Sequence, residues 1–185
     1  MNVLRLFGII SLVVTAGIST FSQEAGEEIT LNVNDYSLIE TNYAPVALSF
    51  ATPLPGAPIA TVSNSDLFVK LSSVTPGNTH RKMTVQITSG IVPEGTILKC
   101  ISAECTTKNS GGELGLPVST PIVLSEVDKD LVNQIGTCYT GTGDDDGYQI
   151  NFTWEPDDPS NYHQITATSK VITVVFTLSA HDGNN

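Results

Sequence analysis

Apolar and polar residues alternate with a period of two in several short segments of this chain. The most regular is Tyr148–Trp154, in which every second residue is aromatic or aliphatic and the last is the only tryptophan. A period of two is that of a β-strand with one buried face. The same reasoning predicts strands at Ile29–Val33, Leu67–Leu71, Lys82–Thr88 and Thr96–Ala103.

The C-terminal segment Val171–Ala180 has a different pattern, because apolar residues occupy both of its faces. Such a strand is typical of the centre of a sheet, or of a position that is partly covered on both sides. Weaker apolar runs predict one strand within Tyr36–Phe50, ending at Val46–Phe50, and two more at Ile122–Leu124 and Val127–Ile135.

Glycine and proline separate these segments. Ala51–Pro58 contains three prolines and one glycine, and we expect a connector there because proline cannot donate to a central ladder. No apolar stripe with a helical period is long enough to predict a helix. Short strands separated by turns therefore predict an all-β domain, an antiparallel immunoglobulin-like β-sandwich of seven to nine strands.

The N-terminus has the composition of an export signal. One basic residue, Arg5, precedes the apolar run Leu6–Ile18, and small residues precede Gln23. This order predicts a secretory signal peptide over residues 1–22 and a single β-sandwich domain over residues 23–185. We expect the mature protein outside the cell or on its surface, with the periplasm as the alternative, and without stable insertion in a membrane.

Acidic residues outnumber basic ones, with 19 Asp and Glu against 8 Lys and Arg and a formal net charge of −11. Such a surface repels phosphate backbones and anionic lipid headgroups. Nucleic acid is therefore not an expected partner. The expected partners are other protein subunits or cell-surface components, including further copies of this chain.

The three cysteines are Cys100, Cys105 and Cys138, and export permits a disulfide between two of them. Cys100 and Cys105 close a short loop, but on one straight strand they would face opposite sides. A bridge requires a turn between them, and the turn-rich residues 106–112 that follow would allow Cys105 to lie beyond the end of the strand. Pairing of Cys138 with either of the others stays open.

The loop Gly141–Gly147 carries three consecutive acids, Asp144, Asp145 and Asp146. Calcium prefers several carboxylate and carbonyl oxygens, which such a cluster can supply. The alternative is a solvated hairpin loop, since the spacing of a known calcium loop is missing. A second acidic loop, Glu155–Ser160, is separated from the first by one predicted strand, so a joint site is not expected.

The sequence offers little for catalysis. Cys138 would need a base and an electropositive pocket to act as a nucleophile, whereas the histidines are scattered and the surrounding acids raise the pKa of a thiol. No nucleophile motif or inward-facing pair of acids is present, so we do not expect an enzyme. Tyr148 and Trp154 could stack on a sugar, but their position on an apolar face favours core packing.

Several segments give the chain a resemblance to a known family. They are the end of the signal peptide (TFSQ) and the stretches RKMTVQITSG, VPEGT, GTCYTGTG and KVITVVFTLS. With these segments the chain resembles a family of small, uncharacterised secreted β-sandwich proteins of Bacteroidota-type bacteria and, more loosely, the subunits of fimbriae and other surface fibres. The resemblance implies an immunoglobulin-like core and brings no catalytic residues.

Three functions follow as hypotheses. The leading one is a secreted, non-enzymatic structural or adhesive surface protein, a fimbrial-type subunit that assembles by strand exchange through the N-terminal segment ITLNV or the C-terminal strand. The second is a calcium- or carbohydrate-binding module that uses the loop Gly136–Gly147. The third is an enzyme, for which the sequence provides no workable constellation.

Overall fold

The computed structural model describes residues 28–181, and most of its regular structure is β-strand. Within this part of the chain seven strands have six residues or more: β1 Tyr36–Thr41, β2 Val62–Val74, β3 Arg81–Ser89, β4 Thr96–Ser102, β8 Lys129–Ile135, β10 Tyr148–Pro156 and β11 Thr173–Ala180. Four more have two residues each: β5 Gly111–Gly112, β6 Leu116–Pro117, β7 Ile122–Val123 and β9 Cys138–Tyr139. A 3-10 helix covers Pro159–Gln164. None of the described helices is long and apolar enough to cross a membrane.

The strands form two antiparallel sheets. The first has the order β5-β9-β2-β10-β4-β7, with β1 on the other edge of β2, and the second has the order β11-β3-β8-β6. Residues of both sheets share one hydrophobic core. The prediction of an antiparallel all-β sandwich is therefore confirmed. The seven longer strands agree with the predicted number, and the two-residue strands add short pairings to them.

The chain divides into two compact units, Met1–Asn32 and Val33–Asn185. The second unit contains every strand described above. Of the first unit only residues 28–32 are described, and they lie in no strand. The predicted signal peptide, residues 1–22, lies outside the described residues.

Inward-facing residues of both sheets form the core. Tyr148 and Ile150 of the first sheet are fully buried, as are Met83 and Leu131 of the second. Burial of an aliphatic side chain contributes roughly 1.5–3 kcal/mol to the free energy of folding. The strand predicted at Tyr148–Trp154 is confirmed in β10, which lies between β2 and β4 in the first sheet.

The prediction of a strand at Ile29–Val33 is wrong. These residues lie in no strand, and Ile29, Leu31 and Val33 are 78%, 89% and 79% exposed. The edge of β2 is instead taken by β1, a segment for which the sequence pattern is less regular. The first described residues of the chain therefore present an alternating row of apolar side chains to solvent.

Val46–Phe50 forms no strand either, contrary to prediction. The pairing of β1 with β2 ends at Asn42, whose backbone N–H donates to the carbonyl of Phe68 at 3.0 Å. The Asn42 side chain also accepts from the Phe68 N–H and donates to the carbonyl of Asp66. Tyr43 then has a φ of 55°. This left-handed conformation turns the chain away from β2.

β11 is an edge strand, so the predicted central position is wrong. The alternative, partial cover on both sides, agrees with the partial burial of Val174 on one face and Val175 on the other. Among the described residues it pairs with β3 alone. Val174, Phe176 and Leu178 pack against the core but are only partly buried. An edge strand presents a row of unpaired backbone groups that can pair with another strand. On this side of the sandwich β11 lies next to β1.

Candidate functional site

An open apolar groove enters the sandwich on the side where β1 and β11 lie. Its volume is about 980 Å³. Segment 43–50, which contains no strand, forms one wall, and segment 165–172 forms the other together with the start of β11. Leu67, Leu98 and Phe152 belong to its floor, the inner face of the first sheet. The groove thus gives access to part of the core between the two sheets.

Trp154 joins the first wall to the floor. Its ring stacks on that of Phe50, with centroids 3.9 Å apart and planes inclined at 23°. The indole Nε1 donates to Thr96 Oγ1 at 2.9 Å, and this hydroxyl donates to the carbonyl of Pro93 at 2.6 Å. Trp154 is half-buried and lines the groove. Tyr148 is fully buried, so core packing is confirmed for that residue.

Three residues at a spacing of two, Ile172, Val174 and Phe176, line the opposite wall. All three pack against the core and are partly buried. At about 3.3 Å per residue they span ~13 Å along the wall. Lys170 lies just before them and is the one charged side chain among the described residues that line the groove. The wall therefore combines an alternating apolar row with a positive charge at one end.

The loop Gly141–Gly147 is closed by one of its own acids. Asp146 is buried, and its carboxylate accepts hydrogen bonds from the N–H of Gly143 at 2.8 Å and from the side-chain amide of Asn109 at 3.1 and 3.3 Å. The hydrogen bond from Gly143, and next that from Asn109, lowers the pKa of Asp146. Gly141 has a φ of 95°, and a Cβ there would lie 2.4 Å from Asp146 Oδ2. The conformation of the loop thus depends on the hydrogen bonds that the Asp146 carboxylate accepts and on the absence of a side chain at Gly141.

Asp144 and Asp145 are exposed at the tip of the same loop. Over residues 28–181 no group of three or more His, Cys, Asp or Glu side chains is placed to hold a metal ion. Asp157 and Asp158 follow β10, whereas the loop precedes it, so the two acidic loops lie at opposite ends of that strand, as predicted. Calcium binding by Asp144, Asp145 and Asp146 stays a prediction. A thermal midpoint that rises with calcium and falls with a chelator would support it.

Cys100, Cys105 and Cys138 are all free and buried. Cys100 faces the core from the middle of β4, in register with Phe152, whereas Cys105 follows the end of that strand. The structure contains no bridge between Cys100 and Cys105. The number of free thiols in the exported protein is the measurement that decides whether one forms.

Burial raises the pKa of Cys138 to about 11, and the nearby Cys105 and Glu113 add to the effect. Burial also raises the pKa of Cys100 to about 12. The thiolate is the reactive form of cysteine. Both thiols are therefore neutral at physiological pH, and the surroundings of Cys138 do not activate it as a nucleophile.

The sequence pattern alone does not single out the groove, because its residues come from several distant segments. Phe152 and Trp154 are groove residues that the pattern draws attention to, and it does so as core residues. The other available signal is the apolar face of Val171–Ala180 that carries Ile172, Val174 and Phe176, which a buried central strand would explain equally well.

The character of this site follows from its own residues. It combines an apolar wall with an aromatic stack and, opposite, a wall in which an apolar row follows the polar residues Thr166, Thr168 and Ser169 and the basic Lys170. The apolar row and the apolar floor suit an apolar strand better than a polar substrate. Comparison of the chain with protein-family models, with curated proteins and with solved structures finds no match in any of the three.

Proposed function

We propose that this chain is a secreted, non-enzymatic structural or adhesive subunit of a surface assembly, and that its copies join by strand exchange through the N-terminal segment Ile29–Val33. The observation that supports this proposal is the exposure of Ile29, Leu31 and Val33 in a segment that belongs to no strand of its own chain. Alternating apolar residues are typical of a strand that covers a core, and here the segment lies outside both sheets of the described structure.

The energetics favour docking onto a sheet edge rather than onto a flat apolar patch. Burial of these three side chains contributes roughly 5–9 kcal/mol in total. Fixing the backbone of five residues costs roughly 5–10 kcal/mol. Apolar contact alone therefore gives little net affinity, and main-chain hydrogen bonds to a sheet edge are needed as well. Strand addition provides both contributions.

The charge of the chain is compatible with an exported subunit. A net charge of −11 keeps separate copies apart and soluble before they join. The acidic residues Glu24, Glu27 and Glu28 precede the apolar row. Their negative charges oppose non-specific aggregation of this apolar row. They also favour a docking site that carries a positive charge.

The test is the size of the exported protein. The full chain is expressed with its own leader, purified after export and sized by light scattering over a range of concentrations. We expect assemblies of more than one copy, and we expect Leu31→Asp to abolish them. Because Leu31 is 89% exposed, a charge at this position blocks burial of the row without disturbing the fold.

Leu54→Asp is the matched control, since Leu54 is 79% exposed and lies outside the segment. This variant should assemble as the wild type does. A wild-type protein that is strictly monomeric at every concentration would contradict the proposal. So would a Leu31→Asp variant that assembles normally.

A further inference from the structure

The geometry points to the groove as the acceptor site: segment Ile29–Val33 of one copy adds as a strand to the free edge of β11 in a second copy and buries its apolar row in the groove. This inference rests on the proposed function and names the partner surface for it. Four independent features of the described residues support this assignment.

The first feature is a match of spacing. The donor segment carries Ile29, Leu31 and Val33, three apolar residues at a spacing of two. The groove wall carries Ile172, Val174 and Phe176 at the same spacing. A strand laid beside β11 repeats every second residue on the same face of the sheet. Its apolar row would therefore meet the apolar row of the wall in cross-strand pairs.

The second feature is the edge itself. β11 pairs with β3 on one side and with no other strand among residues 28–181. Along its outer side alternate backbone N–H and C=O groups point away from β3, which is the arrangement that accepts an added strand. β1 lies next to β11 but ends at Thr41, where the groove begins. The start of β11 is thus the part of the edge that β1 leaves accessible.

The third feature is charge. Lys170 stands at the start of the groove wall and is its one charged side chain in the described structure. Glu28 immediately precedes the donor row, and Glu27 precedes Glu28. A donor strand that enters the groove from the Lys170 end places opposite charges together. This pairing favours the N-terminal segment over an apolar strand without acidic flanks.

The fourth feature explains why the donor comes from another copy. Asp35 forms an ion pair with Arg81, and Arg81 is in register with Ala180, the last residue of β11. The groove lies at the opposite end of β11, beside Val174 and Phe176. The chain is therefore held at one end of the strand while the groove opens at the other. A second copy can supply its segment without reversing the chain at Asp35.

A contact of this kind is heterologous, because one copy contributes the segment and the other contributes the groove. Repeated contacts of this type give a ring if the rotation closes and an open filament if it does not. Each copy then fills one groove with its segment and offers its own groove to another copy, so that an open filament has a free groove at one end and a ring has none.

Photo-crosslinking of the exported full chain tests the acceptor site. A photoreactive amino acid replaces Leu31, and the protein is mixed with an isotope-labelled copy before irradiation. We expect crosslinks from position 31 to residues 43–50 or 165–176 of the other copy. A control with the photoreactive residue at position 54 should give no crosslink to these segments.

The outcomes separate this inference from the proposed function. Crosslinks that join position 31 to another surface of a second copy would overturn the groove as acceptor and leave strand-mediated assembly standing. Crosslinks confined to a single copy would overturn exchange between copies. A protein that is monomeric throughout would overturn both the proposed function and the acceptor site.

A peptide covering residues 27–35 gives a second measurement that does not need assembly. It is labelled and titrated against the Leu31→Asp protein, whose own segment is disabled. We expect saturable binding that weakens at least tenfold when the peptide carries the same substitution. Lys170→Glu in the protein should weaken binding severalfold, whereas Lys108→Glu, an exposed lysine outside the groove, should not. Equal binding by the Lys170→Glu and Lys108→Glu proteins would overturn the placement of Glu27 and Glu28 beside Lys170.

Discussion

Phe50 stacks on Trp154, and this contact attaches a segment without secondary structure to the inner face of the first sheet. The ring centroids are 3.9 Å apart and the planes are inclined at 23°. Other residues of segment 43–50 form one wall of the groove. The position of that wall therefore depends on an aromatic contact rather than on the hydrogen bonds of a sheet.

Phe50→Ala should lower the free energy of unfolding by about 1–3 kcal/mol, since it removes a stack worth about 0.5–1.5 kcal/mol together with part of the burial of the ring. Urea denaturation followed by the fluorescence of Trp154 measures the change. Tyr43→Ala is the matched control, because Tyr43 belongs to the same segment but is 77% exposed. It should change the free energy by less than about 0.5 kcal/mol. Equal destabilisation by the two variants would mean that the stack does not hold the wall.

Trp154 fluorescence should also report on assembly. Trp154 is the only tryptophan of the chain and lines the groove. A strand that fills the groove removes water from the half-buried indole, so we expect the emission to shift to shorter wavelength as the assembled fraction rises. Leu31→Asp should show no such shift, and Leu54→Asp should behave as the wild type. If the emission wavelength does not change with the assembled fraction, the contact between copies lies away from the groove.

The strand β10 could be predicted because its alternation and its burial agree. Tyr148 and Ile150 face the core within the same chain, which is what a period of two indicates. Ile29–Val33 has the same alternation and forms no strand. A hydrophobic period indicates that a face is suited to burial, but it does not show whether the fold of the chain buries that face.

The position of β11 could not be predicted for a related reason. Its two apolar faces fit a central strand and a partly covered edge strand equally well, and only the tertiary arrangement distinguishes them. The groove was inaccessible to sequence reasoning because it joins segments 43–50 and 165–176 across the fold. The buried role of Asp146 was hidden too, since its partner Asn109 lies on another loop.

The three thiols should be unreactive in the native protein. All three cysteines are buried and free, and burial raises the pKa of Cys138 to about 11 and that of Cys100 to about 12. At a pH of about 8 we expect slow reaction with a thiol reagent before unfolding and three reactive thiols after it. Val171→Cys introduces a thiol at a site that is 87% exposed and confirms that the reagent is active. One reactive thiol after unfolding, instead of three, would show that a disulfide forms during export.

The stability of the fold should depend on the ionisation of Asp146. Hydrogen bonds from Gly143 and Asn109 lower the pKa of Asp146 in the folded state, so the folded protein favours the charged carboxylate more than the unfolded chain does. The resulting stabilisation is fully present above the ordinary aspartate pKa of about 3.9. It is lost as the pH falls through the lower value of the folded state. Asp146→Asn should therefore be less stable than the wild type near neutral pH and should lose less stability on acidification below about pH 4.

Urea denaturation at several pH values measures this difference. Asp145→Asn is the matched control, because it removes the same charge from the same loop at an exposed position. Its stability near neutral pH should stay within about 0.5 kcal/mol of the wild type. The pKa of Asp158 is also lowered, by hydrogen bonds from Ser160, so part of the acid dependence persists in both variants. If Asp146→Asn follows the wild-type curve at every pH, the carboxylate does not close the loop in solution.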